Sequence, residues 1–548
     1  MADTYETQFT PNTHLIDTEH LLKVNSDIES RVNTPPTDPA LSPTSVEEVN
    51  TIVKNLHAKK APGIDRILNK IIKFLPDQII YLLVIIFNAL LAGSSFPDEW
   101  KEAIVIGIHK PGKARNIPAS YRPISLLNCI SKIYERIILV RLKAVVEAKS
   151  LIIPEQFGFR AQHSSVHQVH RLTEHIHTHF NKLKRPIGTG VLFFDVAKAF
   201  DRVWHNGLLY YKLYQMSVPD SLVHIIRDYL TNRSFRVRVE GILSTPRPIR
   251  AGVPQGSVLG PILYTLYTSD IPRYGNTNLA LYADDTALYT SSMNVNTIVD
   301  RLQKAVIELG LWFRKWGIEI NPDKSAAVRR KPQTPITLYN KPIPWRQHAK
   351  YLGVTLDCRL TFREHIETVR NRAAFVLGRL YPMIGKHSKL SLRNKVTLYK
   401  LCIRPIMTYA SVVFAQTLPS RLDKLQKIQN RFTRIATGSP WYMRTVDLHK
   451  DLELESIKDY IKTTSTRYFL KVPQHPNHLL VEAANYDPVN DIIDRTRRPK
   501  DVLTDPDDSI TVSNSIYRNT RRHHTHTHRP RRRGRGPLLV TARSRLGV

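Results

Sequence analysis

Two adjacent acids, Asp284 and Asp285, sit between the apolar runs Leu279 to Tyr282 and Thr286 to Tyr289. That pattern reads as two strands joined by a tight hairpin with carboxylates at its tip. A pair of aspartates in a turn is by itself an ordinary feature of hairpins. A third acid changes the reading. Asp195 closes the run Val191-Leu192-Phe193-Phe194, and a carboxylate ending a buried strand needs a cation or another partner. Two acid-bearing strand ends brought side by side could bind Mg²⁺, which takes one or two carboxylates and completes its shell with water and substrate phosphate. The chemistry such a site suits is metal-assisted phosphoryl transfer.

The elements that must position these acids are legible around them. Val191 to Phe194, Phe235 to Val239, Leu279 to Tyr282 and Thr286 to Tyr289 are short apolar strands that alternate with helical stretches between Arg185 and Lys324, which predicts an α+β unit. Upstream, Ile104, Ile106 and Ile108 alternate as in a strand, and Ser45-Val46-Glu47-Glu48 suits a capping box opening a short helix to about Lys59. From about Thr361 the period becomes helical, with Leu422, Leu425, Ile428, Phe432 and Ile435 on one face. The first sixty residues are polar, and Pro35, Pro36 and Pro39 mark a flexible lead-in; the chain after Pro473 reads as loop, and after Tyr517 as a disordered Arg/His-rich tail.

Composition narrows the partner. The 548 residues carry a net charge of +33, which points to a polyanion, nucleic acid foremost. A hydrophobic content of 42% excludes a wholly disordered basic chain. Cys129, Cys358 and Cys402 are far apart with no zinc-ligand spacing, so neither a disulfide framework nor a zinc site is encoded. Met1 to Asp17 lacks a secretory pattern, and the longest apolar run, Ile79 to Leu91, is shorter than the roughly 20 residues of a membrane span. It predicts a buried helix, no membrane partner, and a protein of the nucleus and cytoplasm.

Further motifs surround the acids. Phe194-Asp195-Val196-Ala197-Lys198-Ala199-Phe200-Asp201, Gly252-Val253-Pro254-Gln255-Gly256-Ser257 and Tyr282-Ala283-Asp284-Asp285 follow in order. They are flanked by Tyr121-Arg122-Pro123-Ile124-Ser125, Glu155-Gln156-Phe157-Gly158-Phe159-Arg160, Asn321-Pro322-Asp323-Lys324 and Tyr351-Leu352-Gly353. In this order and spacing, over about residues 50 to 475, the sequence resembles the reverse transcriptases of non-LTR retrotransposons of the jockey type.

That resemblance implies a right-hand polymerase fold with fingers, an antiparallel palm sheet with helices, and a helical thumb. The domains expected from it are an N-terminal extension over 1–60, fingers and palm over 61–358, the thumb over 359–475, and a C-terminal extension over 476–548 that includes the basic tail. It implies RNA-directed DNA synthesis on a DNA primer from deoxynucleoside triphosphates, with two Mg²⁺ ions, or Mn²⁺, on Asp195, Asp284 and Asp285. Lys324 matches a lysine that assists departing pyrophosphate. Arg122 and Arg160 match triphosphate contacts, with surface arginine as the competing reading. Phe200 matches an aromatic that excludes a ribose 2′-hydroxyl, against a plain core Phe, and Gln255 a residue beside the template–nucleotide pair. Asp201 is expected to cap the following helix. In Pro62-Gly63-Ile64-Asp65-Arg66 an arginine stands where the family has glycine, which strains or shifts that turn. A catalytically inert remnant that binds nucleic acid through charge remains the alternative, and RNA-templated RNA synthesis is disfavoured by Phe200. Oligomeric state is not encoded in any motif.

Overall fold

The computed structural model describes residues 1–32, 34–36, 38–39, 41–181, 187–323, 325–328, 334–487 and 497–505. Two mixed layers of helix and sheet form its first two thirds. In one sheet, β1 (Glu102–His109) pairs antiparallel with β2 (Tyr121–Leu126) and parallel with β4 (Ser234–Val239), which also carries the short β5 (Ile242–Leu243) and β6 (Arg247–Pro248). The second sheet is centred on β3 (Gly188–Phe194). It lies between β8 (Asp285–Ser292) and β9 (Ala326–Val328), with β7 (Asn278–Tyr282) and the short strand Trp345–Arg346 at the edges. All four strands expected from the apolar runs are present.

The alternation of β3 explains its central place. Leu192 and Phe194 enter one core, shared with Ile298 and Leu302 of the helix Val295–Lys315. Val191 and Phe193 enter the other, shared with Val169 and Leu172 of the helix Ser165–Asn181. A strand segment covered on both faces must be apolar at successive positions, and Val191 to Phe194 is. The second core continues into the C-terminal helices, where Leu422, Leu425, Ile428 and Phe432 are buried on the inner face of the helix Pro419–Thr437.

Several expectations are corrected. The polar N-terminal stretch is no flexible lead-in: helices Ala2–Gln8 and Thr18–Val32 pack with Tyr5, Val24 and Ile28 buried, because these widely spaced apolar residues find partners only in distant segments. The helix after Ser45 ends at Lys54, and only half of the capping box forms. Ser45 Oγ accepts from the Glu48 N–H, whereas the Glu48 carboxylate bonds Arg141. The helix Asp77–Ala92 is buried on one side only, with Tyr81, Leu82 and Ile85 exposed. Beyond Pro473 the chain is not all loop, since His478–Ala484 is helical and buries Leu480. The expected Arg/His-rich tail lies outside the described residues.

Candidate active site

The hairpin between β7 and β8 is as tight as its sequence suggests. Tyr282 pairs with Asp285, leaving Ala283 and Asp284 as the turn, and Ala283 takes a positive φ of 58°. On the neighbouring strand Phe194 pairs with Thr286. The next residue of β3, Asp195, therefore arrives at the level of Asp285. The three acids meet where two strand ends and a turn converge.

Their charges feel one another. Burial against the surrounding protein, then Asp284 and Asp195, push the Asp285 carboxyl up to about 6. Asp284 is raised as well, by burial first and by Asp195, with its own backbone N–H and Arg122 opposing. Both side chains still keep accessible surface, so the site is crowded without being sealed. Among the described residues no three His, Cys, Asp or Glu side chains already stand together as a metal cage. Oxygen-only donors that repel one another and stay accessible would nevertheless suit a hard cation that brings water and phosphate ligands of its own.

Phe200 lies one turn beyond Asp195. Its ring stacks on Tyr264 with centroids 4.5 Å apart and meets Phe159 edge-on at 5.7 Å. Tyr264 in turn feels the charges of Asp284 and Asp285, which places the aromatic stack beside the carboxylates. The Gly-rich loop is bound to this segment and to β2: the Val253 N–H donates to the Phe200 carbonyl (2.8 Å) and the Gln255 carbonyl accepts from the Ser125 N–H of β2 (2.8 Å). Gly252, at φ 92°, approaches so closely that a Cβ would lie 2.5 Å from the Asp201 carbonyl oxygen.

Asp201 does not cap a helix. Its two carboxylate oxygens accept from the side-chain amides of Gln8 (2.6 Å) and Gln255 (2.7 Å), and with both oxygens engaged it serves as the hub that orients Gln255. Arg122 is exposed on β2 and close enough to lower Asp284. Arg160 is turned onto its own chain, donating to the carbonyls of Ile153 (3.2 Å) and Gln156 (3.3 Å). Lys324 lies outside the described residues, although its neighbours Asn321 and Ser325 are bonded to the Asp195 backbone.

Residues 108–356 match the family described as reverse transcriptase (RNA-dependent DNA polymerase). This chain carries a reverse transcriptase domain. It is similar to a probable RNA-directed DNA polymerase from transposon X-element of Drosophila melanogaster, 39% identical over 85% of this chain and 52% of that one. The RNA-directed DNA polymerase from mobile element jockey of the same organism is 36% identical over 89% of this chain and 52% of that one. The chain thus spans about half the length of the curated relatives it matches. A telomerase structure from Candida tropicalis covers 53% of this chain, and 60% of its own length is matched, at 14% identity and a TM-score of 0.33, a likeness too distant to argue from. No helix among the described residues is long and apolar enough to cross a membrane.

Three residues that matter to the reverse transcriptase domain escaped the sequence reading. Gln156 is buried, and its Oε1 accepts from the N–H groups of both Gly158 (2.8 Å) and Ala283 (2.9 Å). It thereby anchors the hairpin that bears Asp284. Gly158 lets the two segments touch, since a Cβ there would lie 2.3 Å from the Ala283 nitrogen. Gln8, outside the matched range, supplies one of the two hydrogen bonds on Asp201. The Glu155 to Arg160 motif was a signal for the first two; nothing local in the sequence pointed to Gln8.

Proposed function

We propose that the chain is an RNA-directed DNA polymerase with a right-hand arrangement of fingers and palm up to about residue 358 and a helical thumb to about residue 475. It joins the 3′ oxygen of a DNA primer to the α-phosphorus of a deoxynucleoside triphosphate chosen by an RNA template, releasing pyrophosphate. The observation that carries this reading is the convergence of Asp195 with Asp284 and Asp285 at the ends of β3 and the β7–β8 hairpin. Bound there, two Mg²⁺ ions, or Mn²⁺, would supply the positive charge that lowers the cost of the attacking and leaving oxygens. The residues themselves hold and orient. Asp195, Asp284 and Asp285 are the oxygen donors, and Arg122, beside Asp284, is placed to meet phosphate. Phe200, braced by Tyr264, presents a ring edge to the sugar, and Gln255, held by Asp201, fixes the loop beside the template pair. Arg160 reaches the triphosphate once it leaves the carbonyls it now bonds, and Lys324, next in sequence to the Ser325 that bonds the Asp195 backbone, assists pyrophosphate release.

Primer extension by the purified chain on poly(rA) with oligo(dT) tests the reading. Asp195→Asn and Asp284→Asn should each lower single-turnover extension by at least about a hundredfold while template binding stays near that of the parent protein. Extension that survives either substitution would refute the assignment of these carboxylates.

A further inference from the structure

The C-terminal helices carry an exposed aromatic loop set among basic side chains. The helix Pro419–Thr437 stops at Gly438, which takes φ 69°. From the last turn of that helix the Arg434 guanidinium reaches past its end and donates to the carbonyls of Pro440 (2.7 Å) and Met443 (2.8 Å), clasping both ends of a short loop. The two residues between, Trp441 and Tyr442, point outward and remain 86% and 70% exposed, with ring centroids 6.0 Å apart. Large aromatic side chains usually bury 150–250 Å². A pinned loop that holds two of them in water leaves their faces available to a partner.

The charge around the loop identifies the kind of partner. Between Glu367 and Asp447 the only acid is Asp423, against fifteen Lys and Arg. The helix Arg363–Ile384 packs beside Pro419–Thr437, Glu367 bonding Lys424 (2.9 Å) at one end and Lys386 meeting Gly438 at the other. Along its exposed side Arg372, Phe375 and Arg379 recur at helical spacing, Phe375 itself 68% exposed. A basic track interleaved with open aromatic rings suits single strands: the cations follow the phosphates, and the rings stack on bases that a duplex would keep covered. An apolar protein surface would gain nothing from this charge.

We infer that Trp441 and Tyr442 form a stacking platform for unpaired bases of single-stranded nucleic acid, apart from the carboxylate site and independent of its metal chemistry. The test measures binding of a short mixed-sequence single-stranded RNA, and of the same sequence as a duplex, to the full chain without divalent cation or triphosphate. Replacing both residues (Trp441→Ala with Tyr442→Ala) should weaken single-strand binding by about tenfold or more and duplex binding by less than about twofold. Trp441 is the one exposed residue among the six tryptophans. Single-strand binding should therefore quench emission in the parent protein, and Trp441→Phe should keep the affinity while losing most of that quenching. Unchanged single-strand affinity in the double variant would overturn the platform. So would equal losses for single strand and duplex, which would leave the rings only a general role in holding the surface. Extension at saturating template should be unaltered in the double variant. If the parent protein fails to extend any primer yet shows the single-strand preference, the polymerase reading falls and the platform stands.

Discussion

Asp201→Asn should make the protein more stable at about pH 8 and leave it little changed near pH 5. The carboxyl is 3% exposed, and burial outweighs its bonds from Gln8 and Gln255 and the pull of Lys198 and Lys110, raising it from 3.8 to about 6. A folded value above the unfolded one means that the fold prefers the protonated acid. The contribution is complete below the unfolded value and is lost as pH rises through about 6. A shift of about two units corresponds to ~3 kcal/mol against the ionised form at alkaline pH. The amide keeps the shape and cannot ionise, but it gives up charge-assisted bonds from two glutamine amides, at ~1 kcal/mol. The net expectation is a gain of ~1–2 kcal/mol at about pH 8 that vanishes or reverses by about pH 5. Urea titrations across this range, followed by tryptophan emission, measure it directly. Two stability profiles that run parallel, offset by a constant, would show that Asp201 titrates in the fold as it does in the unfolded chain, and the burial account would be wrong.

Arg66 holds φ 58° where the family resemblance leads to glycine; Arg66→Gly should raise the denaturant midpoint by ~1 kcal/mol of stability, since a left-handed L-residue costs ~1–2 kcal/mol and glycine returns part of that as chain entropy. A loss of stability would mean that the arginine side chain has a role of its own. Gly158→Ala places a methyl 2.3 Å from the Ala283 nitrogen, so the hairpin must shift and extension should fall by about a hundredfold; near-normal rates with an intact fold would show that the hairpin position is uncritical. Phe200→Ala removes the ring stacked on Tyr264 and should raise the ribonucleotide to deoxyribonucleotide ratio of kcat/KM by about tenfold or more. An unchanged ratio in an active variant would make Phe200 a core residue.

What was legible followed from how local the physics is. The run Val191 to Phe194 announces a strand covered on both faces, and Tyr282 to Asp285 announces a hairpin, because alternation and turn chemistry act within a few residues. What was hidden depends on distant partners. Tyr5, Gln8 and Phe9 are buried against the Phe235 and Asp201 regions, a reward invisible in a polar N-terminal stretch. Asp201 looked like a cap because capping is the commonest local use of an aspartate before a helix, yet the amides that claim it lie 193 and 54 residues away in the chain. The apolar helix Asp77–Ala92 shows the reverse error: hydrophobic residues around the whole circumference predict full burial, but its neighbours cover one side only.

The electrostatics of the molecule also bear on the order of events at the proposed site. A chain of net charge +33 draws phosphate from a distance, and it does so whatever the base sequence. At the convergence of Asp195, Asp284 and Asp285 the local sign is reversed: burial first, and then repulsion from Asp284 and Asp195, lifts Asp285 to about 6, and the same negative charges would repel a triphosphate. Under the proposed function, a cation held by these carboxylates would reconcile the two signs, since each anion is the other's obstacle without it. The backbone at that point is set by its neighbours: Asp285 opens β8, Asp195 follows the last paired residue of β3, and Gln156 ties down the turn that carries Asp284. Carboxylates on mobile loops would separate to relieve their repulsion. Those set by strand ends and a tied turn are less free to do so, so a field that would attract a cation is built into the backbone before substrate binds.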